Sequence, residues 1–149
     1  MQIIRTNSSH SDFIQLVEKL DAFLKITDQD EHDFYNQFNG IEHIKYVVLA
    51  MEGDQAVACG AIKQFNESTM EVKRMFTLAS FRGKGIASMI LSELEKWSGE
   101  LGFKRVILET GLRQKEAISL YKKNDFQLIA NYGQYKGMDN SRCFEKLLK

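Results

Sequence analysis

The chain has 149 residues, 44% of them hydrophobic and ten of them Phe, which suits a single domain spanning 1–149 with its own core. Twenty basic residues cancel twenty acidic ones, leaving neither a basic field for nucleic acid nor an acidic disordered tail. The opening stretch MQIIRTNSSH has no long apolar run, and Cys59 and Cys143 lie far apart, so the expectation is a cytoplasmic protein without signal peptide, membrane span or disulfide.

QIIRT reads as a short strand. FIQLVEKLDAFLKI follows with Phe13, Leu16, Val17, Leu20, Phe23 and Leu24 at helical spacing, capped by Ser11 or Asp12. DQDEHDFYNQFNG is acidic at its front and suits a short second helix stopped by Gly40. IKYVVLAMEGDQAVACGAIKQF reads as two strands joined by a turn at residues 52–55, and TMEVKRMFTL as a third. Ile86, Met89, Ile90, Leu94, Trp97 and Leu101 then share one helical face, with Gly102 at its end. KRVILET is a buried strand, KEAISLYKKND a helix, and FQLIANY and SRCFEKLL two closing strands. With no proline anywhere, every turn falls to Gly, Asn, Asp or Ser. The order β-α-α-β-β-β-α-β-α-β-β is an α/β mixture with a largely antiparallel sheet.

The stretch FRGKGIAS, residues 81–88, joins a strand to a helix. The first turn of a helix leaves about four N–H groups unpaired, and its dipole adds roughly half a positive charge. Glycines there let a phosphate approach the backbone; Arg82 adds a fork of donors and Lys84 a point charge. The GxxxxGK[ST] pattern is absent. The dinucleotide pattern GxGxxG fails at Ser88, although Glu109 stands where such a unit keeps its ribose-binding acid. EVKRMFT also alternates, whereas a central parallel strand is expected to be continuously apolar.

The third pattern is R-x-x-G-x-A, met by Arg82, Gly85 and Ala87. It resembles the acetyl-CoA loop of the GNAT superfamily of N-acetyltransferases, and the likeness continues in order from about Ala56. MEVKRMFTL resembles the family's fourth strand and VILET its fifth. AISLYKKNDF resembles the segment A-x-x-L-Y-x-K-x-G-F, and RCFEKLL the last strand. The resemblance implies the GNAT fold: a mixed, mostly antiparallel sheet of about seven strands, flanked by about four helices and splayed between strands four and five. It implies acetyl transfer from acetyl-CoA, without metal, to a primary amine of a small molecule or protein. A homodimer is compatible with it; nucleic acid and membrane are not expected partners.

The chemistry sets the roles. A lysine-like amine has pKa ~10.4, so its neutral form costs about 4–5 kcal/mol at pH 7, and a base helps. The departing thiolate benefits from a proton, and the oxyanion from a donor. By resemblance Tyr121 is the acid, and Glu71 or Glu109 the base, with Glu71 favoured. The loop Arg82, Gly83, Lys84, Gly85, Ile86 and Ala87 holds the pyrophosphate, while Met75, Phe76 and Thr77 offer backbone groups to the pantetheine. Read from spacing alone, Tyr121 is as well a core tyrosine, and the two glutamates are solvated acids at strand ends.

Three departures stand out: Ala79 where the family often has Pro, Gln114 for a CoA-binding Asn, and Asp125 for a helix-ending Gly. Asp tolerates left-handed backbone, so that helix end is expected to survive. His10, His32 and His43 lack metal-ligand spacing, and Cys143 reads as buried in a closing strand. His32, Phe34, Tyr35 and Phe38, and likewise Tyr132 and Tyr135, read as aromatic packing beside the acceptor region. Two other functions compete, a non-catalytic acyl-CoA-binding module and a nicotinamide-dinucleotide binder.

Overall fold

The computed structural model describes residues 1–28, 31–36 (without the side chain of His32), 40–41 and 44–149. Seven strands form one sheet: β1 (Gln2–Thr6), β2 (Tyr46–Glu52), β3 (Gln55–Gln64), β4 (Thr69–Thr77), β5 (Arg105–Gly111), β6 (Gln127–Ile129) and β7 (Ser141–Leu147). The helices are α1 (Ser11–Asp28), α2 (His32–Asn36), α3 (Ile86–Glu100) and α4 (Lys115–Lys123). The sheet order is β1-β2-β3-β4-β5-β7-β6. Every pair is antiparallel except β4–β5. β4, α3 and β5 therefore make one isolated crossover unit rather than half of a doubly wound dinucleotide fold.

Two cores cover the two faces. Ile86, Ile90, Leu91 and Leu94 of α3 and Tyr121 of α4 pack against Val48, Ile62, Met70, Val72, Val106 and Leu108. On the other face Phe13, Leu16 and Val17 of α1 pack against Val47, Leu49, Cys59 and Ala61. The alternation of side chains along each strand feeds both cores at once. Phe34 and Tyr35 of α2 join Tyr135 and Cys143 in a third, smaller cluster. Phe38, His43 and the His32 side chain, named above, lie outside the described residues.

Two local expectations are corrected. The cap of α1 is neither Ser11 nor Asp12: His10 Nδ1 accepts the Asp12 N–H at 3.1 Å. FQLIANY yields only a three-residue strand, because the chain then leaves the sheet edge to carry Tyr132 and Tyr135 back over β7. Asp125 does take a left-handed conformation, with φ 70°. The Phe126 N–H closes on the Tyr121 carbonyl at 3.0 Å, so α4 ends as it would with glycine. Ala79 opens a single 3-10 turn, Ala79–Phe81, in place of a proline turn.

β4 overturns a larger expectation. Its alternating polar residues argued against a central parallel strand, yet it lies mid-sheet, is parallel to β5, and is buried at Met70, Glu71 and Val72. Glu71, Lys73 and Arg74 line a small cavity. β4 also carries a bulge: its register on β3 shifts between Cys59 and Ala61, so Arg74 and Met75 together oppose Gly60. A side chain at Gly60 would meet Met75 Sδ at 2.5 Å and Ile90 Cγ2 at 2.7 Å. Pairing between β4 and β5 stops at Glu71–Ile107, and beyond it the strands part.

Candidate active site

Two cavities open where β4 and β5 separate. The larger, about 610 Å³, is lined by Met75, Phe76 and Thr77 of β4, by Arg82, Gly83 and Gly85–Ser88, and by Gln114–Ala117 and Ser119–Tyr121 of the α4 region. Past Glu71 the edge of β4 has no β5 partner, so its backbone groups there are available to a ligand. Gly83 and Gly85 have φ 76° and 80°, a conformation that disfavours side chains, and a Cβ on either would meet nothing within 4 Å. Gly85 is the N-cap of α3, and the first helical bond there is Met89 N–H to the Gly85 carbonyl, at 3.1 Å. The N–H groups of Ile86, Ala87 and Ser88 precede it in residues that line the cleft, as in an anion cradle.

The loop's cations are placed less simply than their sequence order implies. Arg82 Nε donates to the Thr77 carbonyl at 2.9 Å, and its guanidinium lies 5.7 Å from the rings of Phe23 and of Phe76. It braces the strand against the loop while lining the cleft. Lys84 sits 5.3 Å over the Phe81 ring and is absent from the cleft lining. Arg113, Lys115 and Lys123 line the cleft instead, and the sequence reading had named none of them.

The smaller cavity, about 90 Å³, lies on the α1 side of the sheet. Leu20, Leu24 and Asp28 of α1, Glu71, Lys73 and Arg74 of β4, and Glu109 of β5 form much of its wall. Both candidate bases therefore meet in one place, in different company. Glu71 Oε2 accepts the Tyr132 hydroxyl at 2.6 Å, and Oε1 lies 3.6 Å from Lys73 Nζ. Glu109 is only partly buried, at the cavity surface. Burial pushes its carboxyl up to about 7; the Asp28 and Glu71 charges add to the rise, while the Ser141 hydroxyl and Lys73 oppose it. Ser141 Oγ also bonds the Tyr35 hydroxyl at 2.8 Å.

Tyr121 lines both cavities. Its ring packs edge-on to Phe126 at 5.9 Å and tilted to Phe144 at 6.1 Å, so it is a core tyrosine as well. Burial, then the Glu109 charge, hold the phenol in its protonated form. Gln114 stands at the N-cap of α4 and also lines both cavities.

Sequence reasoning missed Asp28, Lys73, Arg74 and Ser141. Asp28 had a signal: it continues the stripe Leu16, Leu20, Leu24 by one more step of four, so an acid sits on the buried face of α1. Arg74 had none, because the bulge turns it to the α1 side, where it bonds Asp21. Among the described residues no cluster of His, Cys, Asp and Glu suits a metal ion. No described helix is long and apolar enough to cross a membrane. Cys59 and Cys143 are both free and buried.

An anion cradle thus lies on one side of the parted sheet and a charged cavity on the other. Comparison with known proteins gives the family. Residues 13–126 match the model of the acetyltransferase (GNAT) family. The chain is 32% identical to an IAA acetyltransferase of Azospirillum brasilense over 149 residues, covering 98% of this chain and 97% of the relative. A Klebsiella pneumoniae structure described as an acyl-CoA N-acyltransferase superposes with TM-score 0.83 at 27% identity, over 99% of this chain and 97% of that one. A Thermoplasma acidophilum PaiA N-acetyltransferase in complex with coenzyme A shares the fold at TM-score 0.72 and 18% identity, over 99% of each chain. The chain belongs to the GNAT family and is an acyltransferase.

Proposed function

We propose that the protein transfers an acetyl group from acetyl-CoA to a primary amine by direct attack within a ternary complex. The observation that carries this reading is the meeting of the two cavities at Tyr121. The larger cleft suits the donor. Its cradle at Gly83–Ser88 takes the pyrophosphate, Arg113, Lys115 and Lys123 supply positive charge, and the free edge at Met75–Thr77 runs toward the acceptor side. The Arg82 guanidinium is already tied to Thr77, so it shapes this cradle as well as charging it.

On the acceptor side Glu109 is the better base. A carboxylate near pKa 7 is matched to removing a proton from an ammonium at neutral pH, and Glu109 is open to the cavity. Glu71 is held between a phenol and an ammonium, an arrangement that fixes a charge in place. The neutral amine attacks the acetyl carbon and forms the C–N bond. The adduct nitrogen loses its extra proton as collapse breaks the C–S bond, and Tyr121 gives its own proton to the sulfur. The nitrogen's proton returns to the phenolate, while the ammonium proton first taken by Glu109 leaves to water, so one proton is released per turnover.

The acyl-CoA-binding module without catalysis leaves the cavity's buried charges without a use. The test is an amine panel with acetyl-CoA, read by thiol release, beside a thermal-shift comparison of acetyl-CoA with NAD. Thiol release with at least one amine, and stabilisation by acetyl-CoA alone, is the expected result. Stabilisation by NAD alone overturns the reading.

A further inference from the structure

Three described residues bury a side-chain polar atom with no hydrogen-bond partner: Thr69, Arg74 and Asn140. Of these only Arg74 lines the acceptor cavity, and the unpaired atom is its Nε. The residue is 6% exposed. Its Nη2 donates to Asp21 of α1, whose side chain is 41% exposed, so this partner stands at the rim. Arg74 also has φ 60°, a left-handed conformation rarely adopted by a long side chain. One residue thus combines backbone strain, a desolvated charge and an orphaned donor. Such costs concentrate where a ligand completes the arrangement.

A strut between β4 and α1 would need only the Nη2 bond, which a lysine can make. The Nε–H shares its edge of the guanidinium with Nη2, the edge that grips a carboxylate with two parallel bonds, so a ligand carboxylate there takes the orphaned Nε–H and shares Nη2 with the exposed Asp21. The rest of the cavity favours a cation: Asp28, Glu71 and Glu109 all reach it. With Arg74 and Lys73 on β4 and those acids around them, the wall is zwitterionic. Resting on the acetyl-transfer reading, we propose that the acceptor is a compact amino acid or amino-acid-like amine, whose carboxylate binds Arg74 while its amine faces Glu109. The cavity's 90 Å³ is below the roughly 150 Å³ that holds a benzene ring, so the charged head fills it and any larger substituent projects outward.

The experiment pairs each α-amino acid, β-alanine and 4-aminobutyrate with the amine that lacks its carboxylate. Binding to the CoA-loaded protein is measured by calorimetry, and turnover with acetyl-CoA by thiol release. The expected result is that at least one acid binds, or reacts in kcat/KM, roughly 10–100-fold better than its matched amine. Arg74→Met should erase that preference through KM, and Arg74→Lys should not restore it. The proposal is overturned if no acid outperforms its amine in either measurement, or if the preference survives in Arg74→Met. Full rescue by Arg74→Lys, or failure of Arg74→Met to fold while Arg74→Lys keeps the preference, returns Arg74 to a strut and equally overturns it. Amine turnover without any carboxylate preference would leave acetyl transfer standing; failure of CoA to bind would remove that reading instead.

Discussion

The two cavities at the parted strands are built from different materials. The donor cleft is largely backbone: two left-handed glycines, the first N–H groups of α3 and an unpaired strand edge. The acceptor cavity is side chain: three acids and two cations, drawn from α1, β4 and β5. A backbone cradle asks of the sequence only that glycines fall at fixed spacing, so it leaves a motif. A side-chain cavity asks for particular residues at positions far apart, so it leaves almost none. On the proposed function the difference also divides the labour, with the cradle for the donor and the side chains for the acceptor.

The largest effect that would sharpen this division is at its seam. Tyr121→Phe keeps the ring against Phe126 and Phe144 and removes only the hydroxyl. Loss of a general acid costs about 10²–10⁴ in rate, and kcat should fall while acetyl-CoA affinity holds. Wild-type kcat with chemistry rate-limiting would make Tyr121 a packing residue and separate the two cavities functionally.

Next is the cradle itself. Gly85→Glu forces a long side chain into φ 80° and puts a carboxylate at the α3 N-terminus. Acetyl-CoA at a hundredfold over its Kd should stabilise the wild type by about 2.7 kcal/mol, and the folded variant by almost nothing. Retained stabilisation would move the pyrophosphate off this helix end.

The bulge gives a smaller effect. Gly60→Ala drives a methyl toward Met75 Sδ, Ile90 and Leu94, and should destabilise by about 1–3 kcal/mol in chemical denaturation. An unchanged midpoint would mean the bulge adapts freely.

The acceptor side should also be less stable than it need be. The folded carboxyl of Glu109, at about 7, lies above its ordinary value of 4.5, so the folded state holds the extra proton between those two pH values. Stability then falls as pH rises through that window. Glu109→Gln escapes the penalty and should be more stable than wild type by roughly 1–3 kcal/mol above pH 7, the gap closing below pH 4.5. Melting curves at pH 4 and pH 8 check the sign. Equal melting temperatures at pH 8 would place Glu109 in water.

Most of the fold was legible because its helices and strands bury opposite faces at their own periods. Leu16, Val17 and Leu20 mark α1 as plainly as Ile90 and Leu94 mark α3. β4 was misread for the same reason, since Glu71 and Lys73 alternate with Met70 and Val72 as on a solvent-facing strand. Periodicity says that a face is polar; it does not say whether bulk water or a small cavity lies over it. The bulge was invisible, and with it Arg74, because a single extra residue leaves no trace in composition. Nor was the difference between the two glutamates readable: it rests on the burial of the Glu109 carboxyl and on Tyr132, which lies 61 positions away in the chain from Glu71.

That difference is the central claim, and a pH–rate profile tests it directly. With a turned-over amine, log kcat/KM of the wild type should rise with pH through an apparent pKa near 7 and again toward the pKa of the free amine. Glu109→Gln should lose the limb near 7 and most of the rate below pH 8, while Glu71→Gln keeps the limb. A limb that persists in Glu109→Gln and vanishes in Glu71→Gln would contradict the assignment and make Glu71 the base.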